Sequence, residues 1–282
     1  MNDERDQFAE LSEVRMCYRD EGNPAGEPLL LIMGLSSQLI HWPQEIVDRL
    51  GERYRVIRPD NRDSGLTEWK GDPKQYFLRA IARDTVELLD HLGIDRAHVV
   101  GASMGGMVAQ LLAIEHGSRV LSLCSIMSTP HVSIGMAEGE VLEELTKPLP
   151  EDRDEAIAQI AALYALIGSK THADSERARR LDMATRSYDR AQHPQGSVRQ
   201  VSAALMAPNR TEGLRGLRLP ALVVHGGEDS LIEIAGGEAT HAAIAGSTYL
   251  PLADMGHDLP QPLLARIATE IQANASRAAA VV

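Results

Sequence analysis

The chain has 282 residues, 44% of them hydrophobic and 24% charged, enough to bury one large core with or without an insertion. Its formal net charge of -12 argues against a nucleic-acid partner and against anionic membrane surfaces, and no stretch approaches the length of a membrane span. Aromatic residues are only 4% while there are ten Met, so the expected core is built on Ala, Leu, Ile, Val and Met and can adapt to a bulky apolar ligand.

Cys17 and Cys124 stand far apart, and Cys124 falls in an apolar run, which predicts a buried free thiol. The charged opening Met-Asn-Asp-Glu-Arg-Asp has no apolar segment behind it, so the expectation is a cytoplasmic protein without a signal peptide.

In chain order, residues 13–20 read as an early strand near a sheet edge, followed by turn chemistry at Gly22-Asn23-Pro24-Ala25-Gly26. Residues 28–33 form a continuous apolar run, as a strand buried on both faces requires, ending in Gly34-Leu35-Ser36-Ser37. A helix over 43–50, a strand over 54–58, a loop over 59–65 and a helix over 76–92 follow, the last with Ile81, Val86, Leu88, Leu89 and Leu92 on one face. Strands at 97–101 and 120–126 flank a helical pattern over 107–115. This alternation with short connections predicts an α/β fold with a mostly parallel, doubly wound sheet.

The rhythm breaks near Ser128. Helical stretches at 137–145, 152–166, 174–190 and 197–206 are punctuated by Pro148, Pro150, Pro194 and Pro208. No flexible linker brackets them, so residues 128–218 read as a helical lid inserted into a core of 1–127 and 219–282. The alternation resumes with a strand over 219–225, a helix over 234–244, a strand over 247–250 and a closing helix over 260–273, leaving 275–282 as a frayed tail.

The chemistry centres on Gly101-Ala102-Ser103-Met104-Gly105-Gly106, where a strand turns into a helix and lifts Ser103 clear of the backbone at the helix's positive end. A serine hydroxyl needs a base, and the base needs an orienting acid. His257, in the loop Met255-Gly256-His257-Asp258, is the candidate base, and Asp229, after Gly226-Gly227-Glu228, is the candidate acid, with Glu228 and Asp254 as rivals. Of the other histidines, His91, His98, His116 and His241 are expected on helices or helix ends. His131, His172 and His193 fall in the lid, and His225 shapes the turn before Asp229. His41, Met127 and His131 are candidates to line the substrate pocket. The oxyanion hole is expected from the backbone N–H groups of Leu35 and Met104.

These motifs resemble the α/β-hydrolase fold superfamily across essentially the whole chain outside the lid. Ile32-Met33-Gly34-Leu35 with Trp42-Pro43, and Asp60-Asn61-Arg62-Asp63-Ser64-Gly65, are similar to the aclacinomycin methylesterase-like branch, whose members cleave esters of bulky polyketide-type compounds. Many family members have His-Gly where this chain has Met33-Gly34, and glycine is common where it has Asp63. Arg62 and Asp63 are read as structural. The resemblance implies an acyl-serine mechanism on a carboxylic ester, with a small-molecule substrate and no cofactor or metal. The chain is expected to act as a monomer or homodimer, with no coiled-coil seam to favour the latter. The same triad serves lactone opening, carbon–carbon cleavage of diketones and cofactor-free perhydrolysis, and a retired hydrolase fold can bind a ligand without turnover.

Overall fold

A computed structural model describes residues 3–280. The chain begins with β1 (Gln7–Glu10), β2 (Val14–Gly22) and β3 (Pro28–Ile32), then α1 (Gln44–Gly51), β4 (Arg55–Pro59), β5 (Glu68–Trp69) and α2 (Leu78–His91). Next come β6 (Ala97–Ala102), α3 (Met104–Glu115) and β7 (Val120–Ile126). Five helices follow: α4 (Glu140–Thr146), α5 (Arg153–Ile167), α6 (Ala173–Arg190), α7 (Pro194–Leu205) and α8 (Thr211–Arg215). The chain closes with β8 (Ala221–Gly226), α9 (Ile234–Ala243), β9 (Thr248–Leu252) and α10 (Leu264–Ser276).

The sheet runs β1-β2-β4-β3-β6-β7-β8-β9, with β5 paired to β2. From β4 to β9 every pairing is parallel, while β2 is antiparallel to its neighbours. The early strand, β2, lies near the edge as expected, one strand in from β1 and with the short β5 also paired to it. β3 reads as an unbroken apolar run because helices cover both faces of the sheet. Leu29, Leu30 and Leu31 of β3 are wholly buried, each contributing about 1.5–3 kcal/mol by leaving water. Leu30 and Ile32 face the layer of α2 and α3, whereas Leu29 and Leu31 face that of α1 and α10.

After β3 the chain moves to β4 on one side, and later to β6 on the other. β3 and β6 are neighbours, with Ile32 opposite Gly101, so their carboxyl ends form a switch point where ligands gather in such sheets. Gly34 and Ser103 both leave the sheet there.

Two readings of the sequence need correction. His98 lies within β6, not on a helix; it is buried, with Nδ1 2.8 Å from Ser122 Oγ on β7. Residues 275–280 are not frayed: α10 reaches Ser276 and continues as a 3-10 turn over Arg277–Ala280. Ala275 packs in the core, and Arg277 donates to Thr248 Oγ1 and Ala221 O, which holds the turn down. Residues 281 and 282 lie outside the described residues. Both cysteines are free and buried. No helix among the described residues is long and apolar enough to cross a membrane.

Candidate active site

Ser103 joins β6 to α3 with φ 57 and ψ -123, a backbone conformation that costs a non-glycine residue energy. The flanking glycines permit it: a Cβ at Gly101 would collide with Gly105 O, and one at Gly105 with Ile32 O. The Ser103 N–H donates to Ile126 O at 2.9 Å, tying the elbow to β7.

The strand after β7 in the sheet, β8, ends two residues before Glu228, and the Gly227 and Glu228 N–H groups donate to Leu252 O and Met255 O. That fold-back buries Asp229. Its Oδ1 accepts the N–H groups of Leu231 and Ile232 at 3.0 and 2.9 Å, and its Oδ2 lies 2.8 Å from His257 Nδ1. Burial works against ionisation of Asp229, yet His257, together with His225, holds its pKa down to about 2. The carboxylate can only accept, so His257 Nδ1 carries the hydrogen. Nε2 is then free to accept from Ser103 Oγ, 2.8 Å away. The structure thus brings Ser103, His257 and Asp229 into one hydrogen-bonded chain, although 154 and 28 residues separate its successive members.

Among the described residues, neither the Leu35 nor the Met104 N–H has a hydrogen-bond acceptor. Both stand beside Ser103: Met104 opens α3, and Leu35 follows Gly34, whose Cα packs against the serine. The loop holding Leu35 is fixed from below by Asn61, whose Nδ2 donates to Met33 O at 2.8 Å. From above, Gln200 Oε1 on α7 accepts the Ser36 N–H at 2.6 Å.

The remaining candidates each make contacts of their own. His41 is half-buried, with Nε2 2.8 Å from the Tyr164 hydroxyl on α5. Met127 is buried in the core with φ 41, packed in the cluster that holds Met33 and Met255. His131 bonds within its own loop, Nδ1 to Ser133 Oγ at 2.7 Å. The two rivals for the acid are engaged elsewhere: Glu228 accepts from Lys170 and Thr171, and Asp254 pairs with His172 at 2.9 Å. His193 Nε2 meets Gly65 O at 2.8 Å, and His225 Nε2 meets Ile232 O at 2.7 Å.

Arg62 and Asp63 are structural. Arg62 is buried in a two-point pair with Asp84, 2.6 Å at each bond. Asp63 pairs with Arg199 on α7 at 2.8 and 3.0 Å. Its φ of 60 accounts for glycine being common there. Sequence reasoning missed Gln200, Ser169, Arg180 and Asp258 around the site. Only Asp258 carried a signal, its place directly after His257.

Over residues 27–260 the chain matches the family described as alpha/beta hydrolase fold. It is 31% identical over 261 residues to the dihydrolipoyllysine-residue acetyltransferase component of the acetoin cleaving system of Cupriavidus necator, covering 89% of this chain and 64% of that protein. It is 38% identical over 113 residues to the rhodomycin D methylesterase DauP of Streptomyces sp., covering 39% of this chain and 38% of that protein, in keeping with the methylesterase-like branch. The match thus spans less than two thirds of each of these relatives. Among solved structures, the enol-lactonase from Burkholderia xenovorans superposes with a TM-score of 0.81 at 24% identity, covering 96% of this chain and 100% of that one.

Proposed function

The chain belongs to the alpha/beta hydrolase fold family, and on that basis we propose that it cleaves a carboxylic ester of a bulky, largely apolar small molecule through an acyl-serine intermediate. The observation that carries this reading is the chain from Ser103 Oγ through His257 to Asp229, set at a strained elbow. The likeness to a methylesterase supports the ester, and a core poor in aromatics and rich in Met supports the bulky apolar ligand.

Ser103 Oγ attacks the ester carbonyl as His257 Nε2 takes its proton. The carbonyl electrons move to oxygen, which the Leu35 and Met104 N–H groups receive. Asp229, ionised far below neutral pH, stabilises the imidazolium. His257 returns the proton to the departing alcohol, then takes one from the water that attacks the acyl-serine, and Ser103 recovers its hydrogen as the acid leaves. These steps call on no metal or cofactor. Residues 128–218 act in this reading as a lid that shapes the substrate pocket.

The test is turnover of matched ester, lactone and diketone substrates by the wild type and Ser103→Ala, with products identified. Ester cleavage lost in Ser103→Ala supports the reading. Ester cleavage that survives the substitution contradicts it, and turnover of only the lactone or the diketone moves the same triad to another bond.

A further inference from the structure

The loop between β9 and α10 is bound at Gly256, His257 and Asp258 to the end of α5 and the turn that follows it before α6. The His257 N–H donates to Ile167 O at 2.8 Å, and the Gly256 N–H donates to Ser169 Oγ at 2.9 Å. Ser169 passes the connection on: its Oγ and N–H donate to Asp258 Oδ1 at 2.7 and 3.0 Å. Arg180, on α6, closes the circuit, its Nη2 donating to Asp258 Oδ2 at 2.8 Å and to Ser169 O at 2.9 Å. Ser169 is wholly buried and Arg180 is 7% exposed, so water competes little for these bonds.

The same turn grips the acid loop. The Lys170 and Thr171 N–H groups donate to Glu228 Oε2 at 2.7 and 3.0 Å, and Ser230 Oγ donates to Leu166 O at 3.2 Å. These two residues flank Asp229. A loop held only by its ends lets an imidazole wander, and a displacement of about 1 Å can cost about 100-fold in rate. Here a helix-borne guanidinium, a rigid and always charged anchor, holds the residue next to the imidazole.

We propose that Asp258, Ser169 and Arg180 are positioning residues for His257, and that the α5–α6 turn is a fixed part of the active site, not a flap that leaves it. The proposal rests on Ser103, His257 and Asp229 being the working triad. Asp258 touches none of the reacting atoms and acts through the backbone of the residue before it.

The test is the rate at which a fluorophosphonate labels Ser103, measured against pH in wild type, Asp258→Asn, Ser169→Ala and Arg180→Met, each checked for folding by near-UV circular dichroism. Arg153→Met serves as control, since it breaks the pair between Arg153 and Asp189, which touches neither loop. The downfield proton resonance of the His257–Asp229 hydrogen bond is followed in parallel. The expected result is labelling slowed about tenfold or more in the three variants, a shifted pH profile and a broadened or lost downfield signal. Arg180→Lys should recover part of the rate, and the control should match wild type. Labelling within about twofold of wild type in folded Ser169→Ala, with the pH profile and the proton signal unchanged, would overturn the proposal. Should Asp258→Asn fail to fold, Ser169→Ala decides, since it removes a single hydroxyl. A wild type that resists labelling counts against the triad reading instead, and the proton signal in Ser169→Ala then decides the clamp separately.

Discussion

Gly34 lies so close to Ser103 that a Cβ built at position 34 would stand 2.9 Å from the serine Cβ and 3.4 Å from its Oγ. The loop that carries Leu35 and the Ser103 side chain are thus packed without room for a methyl group. Gly34→Ala must push one away from the other, and under the proposed mechanism the Leu35 N–H then moves out of line with the developing oxyanion. The expected loss in kcat/KM is about 100-fold, similar to removing one oxyanion donor, with little change in Tm. Steady-state kinetics beside thermal unfolding check this; unchanged kinetics would show that the Leu35 N–H takes no part.

Asp63 combines a positive φ of 60 with a two-point pair to Arg199. Both Asp63→Ala and Asp63→Gly lose the pair, but only glycine adopts the left-handed conformation freely. Asp63→Gly should be the more stable of the two by about 1 kcal/mol. Urea unfolding measures the difference, and equal stability would mean that the backbone there carries no strain.

The pair between Arg62 and Asp84 is fully buried on both sides. Arg62→Met strands a carboxylate in the core and should cost about 3–5 kcal/mol, whereas Arg62→Met with Asp84→Leu should recover much of that. A double-mutant cycle by chemical denaturation reads the coupling. Strict additivity would contradict it.

His41 gives stability a pH dependence. Burial pushes its pKa down from 6.5 to about 4. Between these values the unfolded chain binds more protons than the native one, so stability is full above the unfolded pKa and falls as pH drops towards the folded one. From about pH 7.5 to about pH 5 the wild type should lose up to about 2 kcal/mol more than His41→Gln, which does not titrate. Parallel stability curves for the two proteins would place His41 in water.

The alternation of strands and helices was legible in the sequence because the central strands are short and largely apolar and helices such as α1 and α2 carry one apolar face, while α3 is apolar and buried nearly all round. Ser103, Asp229 and His257 were legible together because each leaves a strand in a glycine-containing turn, and the structure joins the three by hydrogen bonds. β1 and β5 were not, since QFAE and a lone Glu-Trp pair are too short to show a period, and their pairing to β2 supplies what propensity does not. His98 sits among Ala97, Val99 and Val100, and its polar ring is met there by Ser122 across the sheet, by Glu27 at 3.5 Å and by the edge of Tyr54. The supports of the site lay beyond local patterns. Gln200 reaches Ser36 across 164 residues and Arg180 reaches Asp258 across 78, and no spacing along the chain announces such partners.

The most direct measurement is rapid-quench mass spectrometry of the protein mixed with an activated ester, with the modified peptide mapped. An acyl group should build up on Ser103 and then decay at the rate of turnover, and it should be absent from Ser103→Ala. Ester turnover with no acyl group on Ser103, or with one elsewhere, would contradict the acyl-serine mechanism.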